Sequence, residues 1–201
     1  MTPSSEATDA PRPRRVGPVD LGSLGLNDLV TLLDDRVDSW FEPLRGNQVA
    51  DAAARVVSGL GDRGLLWAAS TAWRARRPGE RRTRAVRALA VAGVESSLVN
   101  AALKGVIGRP RPDPADLRLG SNVVPLRRPT TTSFPSGHTL AAFCAATVLS
   151  ERDDPAGSAL LFACAGLIGI SRIHLRAHHT SDVLGGMVIG TALGVLGRRL
   201  V

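Results

Sequence analysis

The chain has 201 residues, room for one compact domain, and its 44% hydrophobic content with mean hydropathy +0.06 falls between soluble and membrane proteins. A net charge of +7 and an isoelectric point near 11.2 fit an anionic lipid, a phosphorylated substrate, nucleic acid, or plain arginine-rich composition. Nucleic acid is set aside, because the chain has no tyrosine, only 3% aromatics and no basic patch interleaved with them.

Residues 1–20 are rich in Pro, Ser, Thr and Arg and lack an apolar core, which reads as a disordered tail and not a signal peptide. Residues 21–60 read as two amphipathic helices. Leu29, Leu32, Leu33 and Val37 recur at helical spacing among Asp28, Asp34, Asp35 and Asp38; Val49, Ala53, Val56 and Leu60 share a second face. Neither pattern spans a bilayer, and both suit an interfacial or bundle-covering role. Residues 61–201 are expected to form a helical bundle.

Within that bundle an apolar segment at about 64–73 precedes Arg74 to Arg87, which holds seven arginines and the single acid Glu80. A solvated loop and a cytoplasmic loop obeying the positive-inside rule both fit. Ala85 to Ile107 reads as a helix interrupted by Glu95 and Asn100, with Glu95 as a paired buried acid. The stretch 108–132 holds five prolines and reads as a loop. Its Arg109, Arg118, Arg127 and Arg128 either line a path for an anionic headgroup or are simply solvated.

Three more apolar helices are expected at about 137–150, 156–171 and 182–197. Cys144 and Cys164 lie in these runs and read as buried free thiols. Gly186, Gly190 and Gly194 repeat every four residues, as in closely packed membrane helices. The runs are shorter than the roughly 20 residues of a full span. Even so, with 74–87 cytoplasmic the last four helices alternate across a membrane. Residues 1–60 contribute no spanning helix, which leaves either a translocated tail or a re-entrant segment.

Three polar stretches interrupt this apolar pattern. Lys104 to Pro112 is K-G-V-I-G-R-P-R-P, and Lys104 is the only lysine among 25 basic residues. Ser133 to His138 is S-F-P-S-G-H; Ser136 is a candidate N-cap before a helix whose opening amides form an anion site. Ser171 to Asp182 is S-R-I-H-L-R-A-H-H-T-S-D, with His178 and Asp182 four residues apart, on one face if helical. Arg172 adds a planar cation suited to phosphate oxygens.

Together the stretches K-x(6)-R-P, P-S-G-H and S-R-x(5)-H-x(3)-D resemble the three-part signature of the type 2 phosphatidic acid phosphatase superfamily, which includes the vanadium haloperoxidases. The resemblance implies an all-α, integral-membrane bundle with its active site at one membrane face. It implies a phosphatase acting on a lipid phosphate or polyprenyl (di)phosphate without metal or other cofactor, in the cell membrane; a cytoplasmic 74–87 then puts the three signature stretches, and the site, on the extracytoplasmic side. By the same resemblance His178 is the nucleophile, Asp182 orients it and His138 is the general acid and base. Lys104, Arg111, Ser136, Gly137 and Arg172 then hold the phosphoryl group. His179 reads as packing or solvent-facing, while His174 and Arg176 are candidates for headgroup contact. A vanadate-dependent haloperoxidase and a non-enzymatic basic membrane protein are the alternatives. Lipid identity and oligomeric state have no signature in the sequence.

Overall fold

The computed structural model describes residues 25–61, 64–74, 76, 80–112, 132–152 and 154–200. Seven α-helices and no strand are found among them: α1 (Leu26–Phe41), α2 (Gln48–Gly61), α3 (Leu65–Arg74), α4 (Glu80–Val106), α5 (Gly137–Leu149), α6 (Pro155–His174) and α7 (Thr180–Gly197). Short 3-10 turns follow α1 and α7. The tail, 1–20, lies outside the described residues.

Three helices are longer than their apolar runs suggest. The arginines from 81 to 87 belong to the start of α4 and not to a loop, as their helix propensity allows. α6 continues through Ser171–His174 and α7 begins at Thr180, because the polar side chains there are buried against partners. Asp154 caps α6, accepting from the Gly157 amide at 3.0 Å, with Pro155 in the first turn. Val86–Leu103, Pro155–His174 and Thr180–Gly197 are long and apolar enough to cross a membrane; α5 is apolar but shorter.

α5 is the central element, packed by α4, α6 and α7 and buried along most of its length. Its tightest seam is with α7. A Cβ on Gly190 would lie 2.3 Å from the Leu140 carbonyl oxygen, and one on Gly194 would lie 2.5 Å from Thr147 Cβ. The four-residue glycine repeat is therefore what lets the two backbones touch.

α2 runs antiparallel to α6. Asp51 meets His174, Ser58 meets Arg172, and Gly61 packs against Ile168. α3 carries on from there, and its Trp67 joins the apolar cluster of Ala88, Ala92, Leu149 and Leu161 at the other end. In series, α2 and α3 run the length of the bundle, turning at Gly64, whose φ of 68° suits a residue without Cβ. α1 lies against α6 and α7, with Asp34 buried and Leu26, Leu29, Leu33 and Trp40 exposed. Cys144 is buried and Cys164 half-buried, both as free thiols.

Candidate active site

The turn between α6 and α7, residues 175–179, carries His178. The histidine thus precedes the helix that bears Asp182, and the two do not share a helical face. The Ala177 and His178 amides hold the turn to the Arg172 carbonyl at 3.0 and 3.3 Å. His178 is 3% exposed, with Nδ1 3.7 Å from Asp182 Oδ2. That is longer than a hydrogen bond, and the atom has no other partner among the described residues. Such contacts often tighten only when substrate binds.

On the ring's other side Arg111 Nη1 lies 3.2 Å from Nε2. A guanidinium only donates, so Nε2 is the acceptor and the ring proton sits on Nδ1, directed at Asp182. The imidazole is held neutral: burial lowers its pKa, Asp182 opposes, and Arg111 and Arg172 add to the lowering, to about 4. Nε2 is therefore unprotonated at neutral pH, its lone pair accepting from Arg111 in this structure.

Asp182 is fully buried and collects donors from several elements. Oδ2 accepts from the Ser133 hydroxyl, from the His179 amide at 2.8 Å and from His179 Nδ1 at 3.2 Å; Oδ1 accepts from Arg109 at 2.9 Å. His179 is accordingly no bystander, since its ring lies closer to the carboxylate than that of His178. Two imidazoles share one carboxylate, and a capping box at the start of α7 brings the second one there.

The Ser133–His138 stretch reaches the same place through backbone contacts. The Ser136 amide donates to the Asp182 carbonyl at 3.0 Å, and a Cβ on Gly186 would lie 2.7 Å from the Ser136 carbonyl oxygen. Ser136 is the N-cap of α5 as expected, but its hydroxyl does not close on the first-turn amides; it accepts from Thr139 Oγ1 at 3.0 Å. Gly137 and His138 are the first two residues of α5, so they stand at the same end of the bundle as Asp182.

The cations are placed by different elements. Arg111 is tied to the Ala177 carbonyl at 2.7 Å, and Arg172, 5% exposed on the last turn of α6, donates to Ser58 of α2. Lys104 lies in the last turns of α4, but its side chain is outside the described residues, as are those of Glu95, Arg118, Arg127 and Arg128. Arg109, a candidate for a headgroup path, instead bridges Asp34 and Asp182; burial works against its charge, and the two carboxylates outweigh that and raise its pKa. His174 and Arg176 are engaged too, His174 with Asp51 at 2.8 Å and Arg176 with Asp38 and Glu42. Beside His178 and His179 opens a cleft of about 390 Å³, bounded by Pro112, Thr180 and the Asp35 and Ser39 side of α1.

An all-helical bundle whose end gathers P-S-G-H, R-P and H-x(3)-D around one buried carboxylate defines the PAP2 class, and the chain belongs to that superfamily: the PAP2 superfamily model matches residues 85–201. Among curated proteins, phosphatidylglycerophosphatase B of Bacillus subtilis is 37% identical over 106 residues, 48% of this chain and 48% of that one. A lipid A 1-phosphatase of Rhizobium johnstonii is also 37% identical over 106 residues, 51% of this chain and 42% of that one. The matched region thus spans a little under half the length of these relatives.

Two solved folds agree. A transmembrane PAP2-type phosphatidylglycerolphosphate phosphatase from Bacillus subtilis superposes with a TM-score of 0.67 at 24% identity, covering 86% of each chain. LpxE of Aquifex aeolicus gives 0.63 at 27% identity over 89% of this chain and 98% of that one. The bundle is that of membrane PAP2 phosphatases.

Proposed function

We propose that the protein hydrolyses a lipid phosphate or polyprenyl (di)phosphate through a phosphohistidine, without a metal ion. One observation carries this reading: a buried neutral His178 with Nε2 against Arg111 and Nδ1 turned to Asp182. The Nε2 lone pair attacks phosphorus as the bond from phosphorus to the leaving oxygen breaks. His138 gives that oxygen its proton. The ring becomes cationic, and the Asp182 carboxylate compensates it. His138, left neutral by that transfer, then takes a proton from water, the hydroxide attacks phosphorus, and the P–N bond returns its electrons to Nε2. Lys104, Arg111 and Arg172, with Ser136 and the Gly137 amide, neutralise the phosphoryl oxygens throughout.

The relatives support a lipid phosphate as substrate, since those matched are named for phosphatidylglycerophosphate and lipid A. The test is phosphate release from lipid phosphates by the full chain in detergent, with excess chelator present. Release should persist in chelator and be inhibited by vanadate. Activity lost to chelator and restored by a divalent cation rejects the mechanism.

The same reading sets the site at the extracytoplasmic face of the cell membrane. Arginines at the α3–α4 junction and Arg198 and Arg199 after α7 favour the cytoplasm for the opposite end. α2 and α3 in series then act as one broken span, which leaves α1 on the site's side. An impermeant thiol reagent on intact cells should label Gly120→Cys and spare Gly79→Cys; the reverse pattern inverts the topology.

A further inference from the structure

α1 lies outside the part of the chain that the family model covers, yet it sends one buried carboxylate into the site. Asp34, 4% exposed, accepts from the Ser181 amide at 2.7 Å and from the Ser181 hydroxyl at 2.8 Å. It also accepts from Arg109 at 2.6 Å. Arg109 continues to Ser181 Oγ at 2.5 Å and to Asp182 Oδ1 at 2.9 Å. Asp34 therefore caps α7 from another helix, satisfying an opening amide that α7 cannot satisfy itself. Through Arg109 it also fixes the far oxygen of Asp182, leaving only Oδ2 to face the two histidines.

We infer that Asp34 is a positioning residue for the phosphatase reaction: with Arg109 and Ser181 it locks the Asp182 carboxylate, so the site is complete only when α1 is docked. A carboxylate free to rotate would present either oxygen, or neither, to His178. With Oδ1 held by a guanidinium and Oδ2 by Ser133 and His179, rotation is blocked in both senses. The charges alternate along the chain of contacts, carboxylate to guanidinium to carboxylate to imidazole. Neutralising either of the first two therefore changes the field at His178, in opposite directions.

The other charged groups around His178 are not altered by these substitutions. Arg111 approaches from the segment after α4, Arg172 from α6, and His179 with Asp182 from the start of α7. Asp35, Asp38 and Glu42 line the cleft from the α1 side, with Arg176 paired to the last two.

The inference rests on the proposed phosphatase reading, so the experiment has two arms. In the first, kcat and KM are measured on an aryl phosphate for the full chain in detergent. Supporting residues behind a catalytic group commonly cost 10–100-fold, so Asp34→Asn should lose about 10-fold or more in kcat while KM changes little. Arg36→Gln, an exposed charge change on the same helix, should not. In the second arm the ring nitrogens of His178, assigned by their absence in His178→Ala, are titrated by NMR. Asp34→Asn removes a negative charge and should lower the His178 pKa; Arg109→Gln removes a positive one and should raise it; the double variant should return toward wild type. Wild-type kcat in Asp34→Asn, or both single variants shifting the same way, overturns the inference. If Asp34→Asn does not fold, the kcat of Ser181→Ala and the titration of Arg109→Gln decide in its place. If wild type releases no phosphate at all, the phosphatase reading falls, and the titration still decides the clamp.

Discussion

The two ends of this bundle are built on opposite rules. At one end Trp67, Ala88, Ala92, Ala146, Leu149, Leu161 and Ala165 make an apolar cluster of mostly small side chains. At the other, Asp34, Asp51, Ser58, Ser133, Arg172, His174 and Asp182 are equally buried and each is hydrogen-bonded. Close packing has no preferred direction, so it holds helices together without fixing any one atom. Hydrogen bonds between buried polar groups are directional and costly to leave unmade, so they fix individual atoms. The first end supplies stability and the second supplies geometry. Substitutions at the two ends should therefore fail in different ways.

The largest effect belongs to the polar end. His178→Ala removes the proposed nucleophile and should cost on the order of 10⁶-fold in kcat on every phosphate tested, while the melting temperature stays near wild type. Activity recovered on an aryl phosphate would show that another group attacks.

His138→Ala comes next. General acid catalysis contributes about 10²–10⁴-fold, and only as far as the leaving oxygen needs a proton. The loss in kcat/KM should be greatest on a lipid monophosphate, smaller on an aryl phosphate, and smaller too on a diphosphate. Equal losses on all three would reassign the residue.

pH probes the same end without a substitution. His178 must be neutral to attack, and burial assisted by Arg111 and Arg172 lowers its pKa to about 4. The His178 contribution to kcat/KM should stay constant down to about pH 5 and fall below about 4. The same shift makes the folded state bind fewer protons than the unfolded one between about 4 and the ordinary 6.5. Its stability contribution is complete above 6.5 and is lost as pH falls through that window. A His178 limb near 6.5 would mean that the ring is solvated.

The smallest kinetic effect, and the clearest contrast, is expected at the packing seam. A Cβ on Gly190 meets the Leu140 carbonyl, a backbone atom that cannot swing aside. Gly190→Ala should destabilise by about 1–3 kcal/mol through overpacking. Activity per folded molecule should change far less than the melting temperature. If turnover collapses while the melting point holds, the division between the two ends is wrong.

Periodicity alone located the helices, because a hydrophobic repeat is local information: the run from 137 to 149 and the glycines at 186, 190 and 194 announce α5 and its seam with α7. The three motifs are also legible along the chain, and it is their resemblance to the superfamily signature that proposes Arg111, Ser136, His138, His178 and Asp182 as one group. The sequence of α1, a row of aspartates beside leucines, gives no reason to prefer Asp34 over Asp35, and His179 carries no mark that distinguishes it from a solvent-facing neighbour. Only the fold decides these, by bringing residues 147 and 73 positions apart within hydrogen-bond reach: Asp34 with Ser181, and Arg109 with Asp182. Helix boundaries shifted for the same reason. Arg172–His174 and Thr180–Ser181 look too polar to extend the apolar helices, and they are helical because Ser58, Asp51, Asp34 and Arg109 arrive from elsewhere to satisfy them. Local pattern determines which segments are helical and which face is apolar; long-range polar partners determine where each helix ends and which of two adjacent carboxylates or histidines enters the site.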